Sequence, residues 1–298
     1  MTGTFQQFAE RAARVTVSVT RNNAQGVAQT YTYVYTQNRM RIQVRQGGKQ
    51  YGNAHIEIFG VAQQDMNQIA RLWFEVMTPQ NADTVAIDVW NGMQYIPFFQ
   101  GVIMWSAVDA STMPQVKLVI DSNAAMPLMN TPVPPYSNPG PVTLSDALAD
   151  IAGQAGFAVV YSASVPVYSL TNPRVTGSPL EQINALMSQY PDLTWFVNLQ
   201  QVVIRLAGAP SDTDAVRIAV DTGLQYAPVY STSGLSITTI FNPLLRPGIA
   251  LDVETTFDFV NRTNWVAAVL SHQLDVNLPG GQWNTAIAAN SYGAKSNN

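Results

Sequence analysis

The two histidines of the chain are the first side chains to consider for catalysis or metal binding. His55 and His272 each lie in an alternating apolar and polar segment, which predicts a β-strand. A histidine metal site needs further ligands at a defined spacing, and neither a His-x-x-x-His pair nor an Asp-x-Asp-x-Asp loop occurs in the sequence. We therefore predict that both histidines are structural or lie at the surface, and that the chain uses no metal ion and no cofactor.

Paired carboxylates are a second source of chemistry, because a glycosidase places two of them across one sugar bond. The candidate pairs are Glu57 with Asp88 and Asp252 with Glu254. All four acids alternate with apolar residues, which is typical of the solvent face of a strand. We predict that they are surface residues, and a glycan hydrolase is kept as an alternative function.

The remaining candidates also have structural explanations. Asp146 and Asp150 lie four residues apart on a predicted helix, near the end where negative charge is favourable. No Gly-x-Ser-x-Gly, phosphate loop or Gly-x-Gly-x-x-Gly occurs. Sugars stack on tryptophans, so a carbohydrate- or cell-wall-binding module is a further alternative. Four tryptophans nevertheless occupy apolar-periodic positions and are predicted to be core residues: Trp73, Trp195, Trp265 and Trp283. We predict no catalytic, cofactor-binding or metal-binding residue.

Composition excludes several classes of function. The chain contains no cysteine, which rules out disulfides, thiolate metal sites and cysteine nucleophiles. Its net charge is −4 and it has no run of Lys and Arg, so we do not expect nucleic-acid binding by charge neutralisation. Only 11% of the residues are charged, against roughly 25% in an average soluble protein. We therefore expect partners to cover much of the surface.

The N-terminus lacks a signal-peptide core and no apolar stretch could span a bilayer, so we expect no standard secretion and no membrane insertion.

Four predicted strands near the C-terminus repeat the order and approximate spacing of four strands near the N-terminus. The earlier strands cover residues 54–59, 85–90, 99–104 and 116–121, and the later strands cover residues 237–241, 249–254, 265–270 and 283–288. Each segment is short, is apolar or alternating, and is bounded by Asn, Gly or Pro. We predict a mainly β protein that contains two copies of one unit, each copy a small β-barrel.

The two copies differ in one connection. An amphipathic helix is predicted at about residues 62–73, because four apolar residues follow helical spacing: Met66, Ile69, Ala70 and Trp73. The matching place in the second copy holds only residues 242–247, which predict a tight loop. Ahead of the first copy, further strands are predicted at 15–19, 31–35 and 41–45, and a short helix or arm is predicted at 5–14.

Between the two copies the pattern changes to that of a small α+β domain. Residues 126–142 contain six prolines and predict an extended linker. A helix follows that is capped by Thr143 and stopped by Gly156, then a strand at 157–161. Ser178-Pro179-Leu180-Glu181 forms a capping box that begins a second helix. The predicted domains are residues 1–125 (first β-barrel), 126–208 (linker and α+β domain) and 209–298 (second β-barrel).

Several segments together resemble the baseplate hub proteins of contractile-tailed bacteriophages. The similar segments are Asn242-Pro243, Arg246-Pro247-Gly248, Trp265-Val266, Ser271-His272-Gln273-Leu274-Asp275, Pro279-Gly280-Gly281-Gln282-Trp283-Asn284-Thr285, Ile56–Phe59 with Asn67–Ile69, Thr143–Asp146 and Gly177–Leu180. The resemblance extends over nearly the whole chain and includes the inserted α+β domain.

This resemblance implies a structural function without enzymatic activity. In such hubs a trimer places two related β-barrels per subunit in a pseudo-sixfold ring. The ring joins a sixfold tail tube to a threefold central spike and encloses a channel for DNA. The implied partners are two further copies of the chain, the tail tube protein, the central spike protein and other baseplate proteins, with no specific DNA binding. The implied location is the tail baseplate of the virion, after assembly in the host cytoplasm.

Overall fold

Strands dominate the structure, as the alternating segments predict. A computed structural model describes residues 11–22, 25–48, 51–71, 83–211, 214–231, 234–261 and 263–294. Five short helices connect or cover the strands in this part of the chain. None of these helices is long and apolar enough to cross a membrane.

The first unit contains the strands before the proline-rich segment. Its elements are β1 (Ala13–Asn22), β2 (Ala28–Tyr35), β3 (Met40–Gly47), β4 (Asn53–Phe59), α1 (Gln63–Ile69), β5 (Thr84–Trp90), β6 (Tyr95–Asp109) and β7 (Lys117–Asn123). The three strands predicted ahead of the repeat are confirmed as β1, β2 and β3. The helix or arm predicted at 5–14 is wrong at its end, where Arg14 pairs within β1, and residues 1–10 lie outside the described part.

Alternation places one side of each strand of the first unit in the core. In β1 the side chains of Val15, Val17 and Val19 are fully buried, whereas the residues between them are half-buried. The same alternation buries Ile42 in β3 and Ile56 in β4. Removing apolar surface from water stabilises the fold by about 25 cal/mol per Å², so this period-two pattern determines which side of each strand faces inward.

The helix predicted at 62–73 is present but shorter. It ends at Ile69, because Ala70 adopts an extended backbone and the Arg71 amide donates a hydrogen bond to the Ser106 carbonyl of β6. A hydrogen bond to the sheet therefore replaces the last predicted helical turn. Met66 and Ile69 are buried as predicted, and Trp73 lies outside the described residues.

The proline-rich segment is not extended throughout, contrary to the prediction for residues 126–142. It begins with a helical turn, α2 (Met126–Asn130), whose Leu128 side chain is fully buried. Pro127 is compatible with this turn because the first helical positions need no backbone N–H donor. The linker is therefore anchored to the core by a buried leucine before it leads into the short strands of the middle segment.

The middle segment has the predicted α+β organisation. Its elements are β8 (Tyr136–Ser137), β9 (Pro141–Thr143), α3 (Leu144–Gly153), β10 (Ala158–Tyr161), β11 (Ser169–Thr171), β12 (Arg174–Val175), α4 (Pro179–Met187), β13 (Leu193–Asn198) and β14 (Gln201–Leu206). Strands β10, β14 and β13 form one sheet, and β8 and β9 make two-stranded ribbons with β12 and β11. The helices α3 and α4 bury one face each in a common core.

Local signals of the middle segment are confirmed at atomic detail. The Thr143 hydroxyl accepts a hydrogen bond from the Asp146 amide at the start of α3. In the capping box of α4, the Glu181 amide donates to the Ser178 hydroxyl and the Ser178 amide donates to the Glu181 carboxylate. Caps of this type contribute about 1 kcal/mol each, so local sequence specifies where both helices begin.

The second unit contains the remaining strands. Its elements are β15 (Ala215–Ile218), β16 (Val229–Ser231), β17 (Gly234–Ile240), β18 (Ala250–Val253), α5 (Asp258–Asn261), β19 (Thr263–Val276) and β20 (Trp283–Ala294). Residues 242–247 form the predicted tight loop, in which the Asn242 side chain accepts a hydrogen bond from the Leu244 amide.

The predicted repeat is confirmed by the strand order. In the first unit the hydrogen-bonded order is β4, β7, β6, β5, and in the second it is β17, β20, β19, β18. Both units also contain a β-bulge at the same place. The bulge lies between Ile103 and Trp105 in β6 and between Ala267 and Val269 in β19. A shared bulge is informative because bulges are specific features of a fold.

The two units share one 13-stranded sheet. Strand β19 of the second unit pairs with β3 of the first, from Val269 opposite Gly47 to Val276 opposite Met40. We call this pairing the intrachain joint. The sheet path ends at β16 on one side and at β2 on the other, and no pairing of described strands joins these ends. Two separate small β-barrels therefore remain a prediction.

Candidate functional site

The polar face of the sheet crosses the intrachain joint and is the first candidate functional surface. Strand registers place one row of side chains across five neighbouring strands: Gln273, Gln43, His55, Asp121 and Trp105. The opposite side of these strands is the apolar core, because side chains alternate between the two faces. Within this row His55 Nδ1 lies 2.6 Å from Asp121 Oδ1.

The predicted surface histidine His55 forms an ion pair with Asp121. The hydrogen bond to Asp121 raises the pKa of His55, and partial burial opposes this effect. Glu57 lies farther from the ring, 4.0 Å from His55 Nε2. The hydrogen bond between the imidazole and the carboxylate links β4 to β7, and this gives the residue a structural explanation.

Next to this row of side chains, the polar face carries a group of charged residues of opposite sign that contact one another. The Lys117 ammonium lies 2.5 Å from Glu57 and 3.4 Å from Asp109, and Arg41 lies 3.8 Å from Glu57. The interaction with Glu57 is the main reason that the pKa of Lys117 is raised. These side chains come from β3, β4, β6 and β7, so the network connects four strands. Within this network each positive charge lies beside a carboxylate.

A groove of about 700 Å³ lies on this face. Its polar lining includes Arg45, Asn53 and His55, and one wall is formed by Met104 and Trp105. The bulge in β6 explains this wall, because an extra residue interrupts the alternation and brings two consecutive large side chains to the groove. Sequence reasoning missed Trp105. The run Val102-Ile103-Met104-Trp105 breaks the alternating pattern and is the available signal.

The structure does not bring the carboxylates of Glu57 and Asp88 together, and Asp252 and Glu254 lie two residues apart at the end of one strand. Glu57 and Asp88 lie on β4 and β5, which are separated in the sheet by β7 and β6. Asp88 is bound by the Arg14 guanidinium at 2.8 Å. In the second unit, Glu254 is bound by Arg217 at 2.6 Å. A glycosidase needs two carboxyls across one cleft, whereas Asp88 and Glu254 pair with arginines and Glu57 pairs with Lys117.

His272 is fully buried at the intrachain joint. Its Nδ1 lies 2.9 Å from the Thr285 hydroxyl, and its ring packs edge to face with Phe98 and Phe241. Burial lowers the pKa of His272 to about 3, so the ring is neutral at physiological pH. Among the described residues its Nε2 has no hydrogen-bond partner. The structure therefore places His272 in the core, and its structural role stays a prediction.

The tryptophans divide between core and surface. Trp265 and Trp283 are buried as predicted, and the Trp265 indole N–H donates to the Val260 carbonyl. Trp195 is half-buried and stacks on Tyr51, with ring centroids 4.9 Å apart. Among the described residues no cluster of three or more His, Cys, Asp or Glu side chains could hold a metal ion.

An exposed apolar surface near β16 is the second candidate. Tyr230 contacts Phe259 edge to face, with ring centroids 5.5 Å apart, and Phe259 contacts Phe257. All three rings are exposed, as are Tyr226 and Val229, which lie nearby in the sequence. An apolar cluster of this kind beside a sheet edge is typical of a protein–protein interface.

Comparison with known proteins identifies the fold. No protein-family model matches the chain, and no curated protein matches its sequence. A solved tail protein from Neisseria meningitidis superposes with a TM-score of 0.61 at 11% identity, over 97% of this chain and 97% of that chain. The 43 kDa tail protein of prophage MuSo2 from Shewanella oneidensis gives 0.59 at 10% identity, over 93% and 97%. The chain has the fold of phage tail proteins.

A third similar structure is a component of a secretion system. The E. coli protein c3393 belongs to the type VI secretion system and is described as similar to the T4 tail proteins gp27 and gp5. It gives a TM-score of 0.55 at 11% identity, over 88% of this chain and 77% of that chain. The resemblance to baseplate hub proteins seen in the sequence agrees with all three neighbours. At these identities the tail-protein likeness concerns the fold.

Proposed function

We propose that this chain is a structural, non-enzymatic hub subunit of a phage tail baseplate. The observation that supports this most is the duplicated β-unit on one continuous sheet, in a fold shared with tail proteins over nearly the full length of both chains. Two equivalent units per chain allow three chains to present six similar units, which meets the geometric need of joining a sixfold tube to a threefold spike.

In this proposal the chain forms a homotrimer whose ring contacts the tail tube protein on one face and the central spike protein on the other. Residues 1–125 and 209–298 supply the two barrel domains, and residues 126–208 supply the α+β domain outside them. Other baseplate proteins contact the outer surface. The subunit assembles in the host cytoplasm and then resides in the baseplate of the virion.

The channel of the proposed ring lets DNA pass without specific binding. Three basic side chains of the polar face support this step, because Arg41, Lys117 and His55 each lie beside a carboxylate. A basic side chain that is already paired attracts a phosphate less strongly, since DNA binding by proteins depends on uncompensated positive charge.

Native mass spectrometry of the purified full chain, alone and with the spike protein of the same phage, tests the proposal. We expect a trimer, or a monomer that becomes a trimer when the spike is added, and a ring with a central channel in electron micrographs. A strict monomer in both samples would refute the hub function. Antibody labelling of intact virions gives a separate check, since label along the whole tail or on the head would also contradict a baseplate location.

One observation favours a second function, carbohydrate binding. The groove places the Trp105 ring beside planar polar side chains such as Asn53 and His55, an arrangement that suits a sugar ring with hydroxyl groups. Titration with chitotetraose tests this alternative. Binding should be lost in Trp105→Ala and kept in Trp90→Ala, a half-buried tryptophan of the same unit outside the groove. No binding by the unaltered chain would eliminate it.

A further inference from the structure

A small pocket of about 230 Å³ opens beside the end of β4. Three basic side chains line it, Arg39, Arg41 and Lys117, together with the apolar side chains of Phe59 and Leu278. Among the described residues that line it, none is acidic. We call it the basic pocket. Small-molecule sites in proteins usually measure about 300–1,000 Å³, so the basic pocket has room for one side chain and not for a cofactor.

The three basic side chains differ in how far their charge is compensated. Lys117 Nζ lies 2.5 Å from Glu57 and 3.4 Å from Asp109, so this ammonium is held within the sheet. Arg41 lies 3.8 Å from Glu57, which is too far for a hydrogen bond. Two cations and two carboxylates therefore balance here. Within the described part of the chain Arg39 forms no ion pair, and its positive charge stays uncompensated.

Hydrogen bonds fix the backbone that carries Arg39. The Phe59 amide donates to the Arg39 carbonyl at 2.9 Å. The Asn38 side chain donates to the Phe59 carbonyl at 2.8 Å, and the Asn277 side chain donates to the Asn38 carbonyl at 3.1 Å. The Arg39 guanidinium lies over the Phe59 ring, 5.9 Å from its centroid. An exposed cation on a turn that two other segments hold is preorganised, which lowers the entropy lost when a ligand binds.

We propose that the basic pocket binds the side-chain carboxylate of a glutamate in an acidic segment of a partner protein. The guanidiniums of Arg39 and Arg41 present planar pairs of N–H donors, which match the two oxygens of a carboxylate. Phe59 and Leu278 are half-buried and supply apolar contact for the methylene groups of a glutamate. A single uncompensated positive charge matches a carboxylate better than a phosphate group, which carries about two negative charges at neutral pH.

Recognition of an acidic segment must come from the pocket itself. The net charge of the chain is −4, so the chain as a whole repels an acidic peptide. Binding of such a peptide would therefore identify a local site and not a general attraction. The inference goes beyond the hub function and does not depend on it, since the pocket is formed within one chain.

Fluorescence anisotropy with a labelled hexaglutamate peptide tests the inference on the full chain. Hexaglutamate should bind saturably and more weakly as salt is added, because salt screens charge interactions, whereas hexaglutamine should not bind. Competition with free glutarate and with inorganic phosphate identifies the ligand. Glutarate that binds as tightly as the peptide would reveal a small-molecule site and overturn the assignment to a protein partner. Displacement by phosphate at a lower concentration than by glutarate would overturn the choice of a carboxylate.

Variants locate the binding site. Arg39→Gln should weaken hexaglutamate binding about tenfold, as expected for the loss of a charge-assisted contact. Arg39→Lys keeps the charge without the planar donors and should recover only part of the affinity. The matched control is Arg174→Gln, which removes the same charge from an exposed residue of β12 outside the pocket and should bind normally. Thermal unfolding should be the same in all three variants, because both arginines are exposed.

Three results would overturn the inference: no saturable binding by the unaltered chain, equal binding by the unaltered chain and Arg39→Gln, or equal weakening in Arg39→Gln and Arg174→Gln. The hub function fails on a different observation. Specific peptide binding by a chain that stays monomeric with and without the spike would refute the hub function and support the basic pocket.

Discussion

The two β-units have the same strand order but different surroundings at their shared bulge. Both contain the same four-strand order and the same bulge. In the first unit the bulge brings Met104 and Trp105 to a groove on the polar face. In the second it lies at the intrachain joint, where the Ala268 carbonyl comes so close to Gly47 that a Cβ atom would lie 2.3 Å from its oxygen.

The difference between β3 and β16 teaches that burial depends on neighbours more than on the strand itself. Strand β3 is paired on both sides, and its apolar residues are buried. Strand β16 is short, is paired with β17 alone among the described strands, and is exposed along its length. The aromatic residues of β16 are understandable if a partner covers them, because strongly apolar side chains on an edge otherwise promote aggregation.

The largest expected loss of stability comes from adding a side chain at Gly47, where the intrachain joint has no room for one. Gly47→Ala should destabilise the chain by about 2–4 kcal/mol, because the added Cβ would collide with the Ala268 carbonyl and Gly47 has a φ of +79°. Urea denaturation measures the loss. Gly26→Ala is the matched control, since its φ is +75° and nothing lies within 4 Å. Equal losses in the two variants would mean that close packing at the joint contributes nothing.

The pair Val44 of β3 and Tyr230 of β16 gives the next largest effect. Val44→Ala should lower the free energy of unfolding by about 1–3 kcal/mol, because it leaves a cavity beside β19. Tyr230→Ala in the dilute chain should change it by about 0.5 kcal/mol, as for an exposed residue. Chemical denaturation at low protein concentration measures both. A large loss for Tyr230→Ala in a monomer would contradict the difference between the two strands.

Acid should destabilise the joint through His272. Its pKa is about 3 in the folded chain, below the ordinary value of 6.5, so unfolding takes up a proton between these values. The stabilising contribution is complete above pH 6.5 and decreases by about 1.4 kcal/mol per pH unit as the pH falls toward 3. Denaturation at several pH values should show this slope in the unaltered chain and lose it in His272→Leu. Parallel curves for the two proteins would disprove the assignment.

The smallest effect is expected at His55 and has the opposite sign. The folded-state pKa of His55 is raised by the hydrogen bond to Asp121, so its contribution is present below pH 6.5 and is lost as the pH rises through the folded value. The His55→Gln variant should therefore lose stability at pH 6 and differ little from the unaltered chain at pH 9. NMR titration of the imidazole provides a direct measurement, and a pKa below 6.5 would contradict the ion pair.

Much of the local structure could be predicted from the sequence. Alternation identified the strands of both units, and the capping residues Thr143 and Ser178 located the starts of two helices. The errors occurred where a distant contact determined the backbone. The helix α1 ends early because the Arg71 amide donates a hydrogen bond to the Ser106 carbonyl. The start of the linker is helical over Met126–Asn130, and the Leu128 side chain of this turn is buried in the core. Neither contact leaves a local sequence signal.

The sequence by itself determined the repeat, the order of its strands, the start of each capped helix and the absence of cysteine chemistry, because these depend on side-chain period and residue type. Only the tertiary structure decided which strands are neighbours. Pairing of β19 with β3, the groove beside Trp105 and the exposed edge of β16 all join residues far apart in the chain. Backbone hydrogen bonds between strands form with any residue type, so they do not select which strands pair. The pairing of distant strands is instead decided by how their side chains pack in the whole sheet.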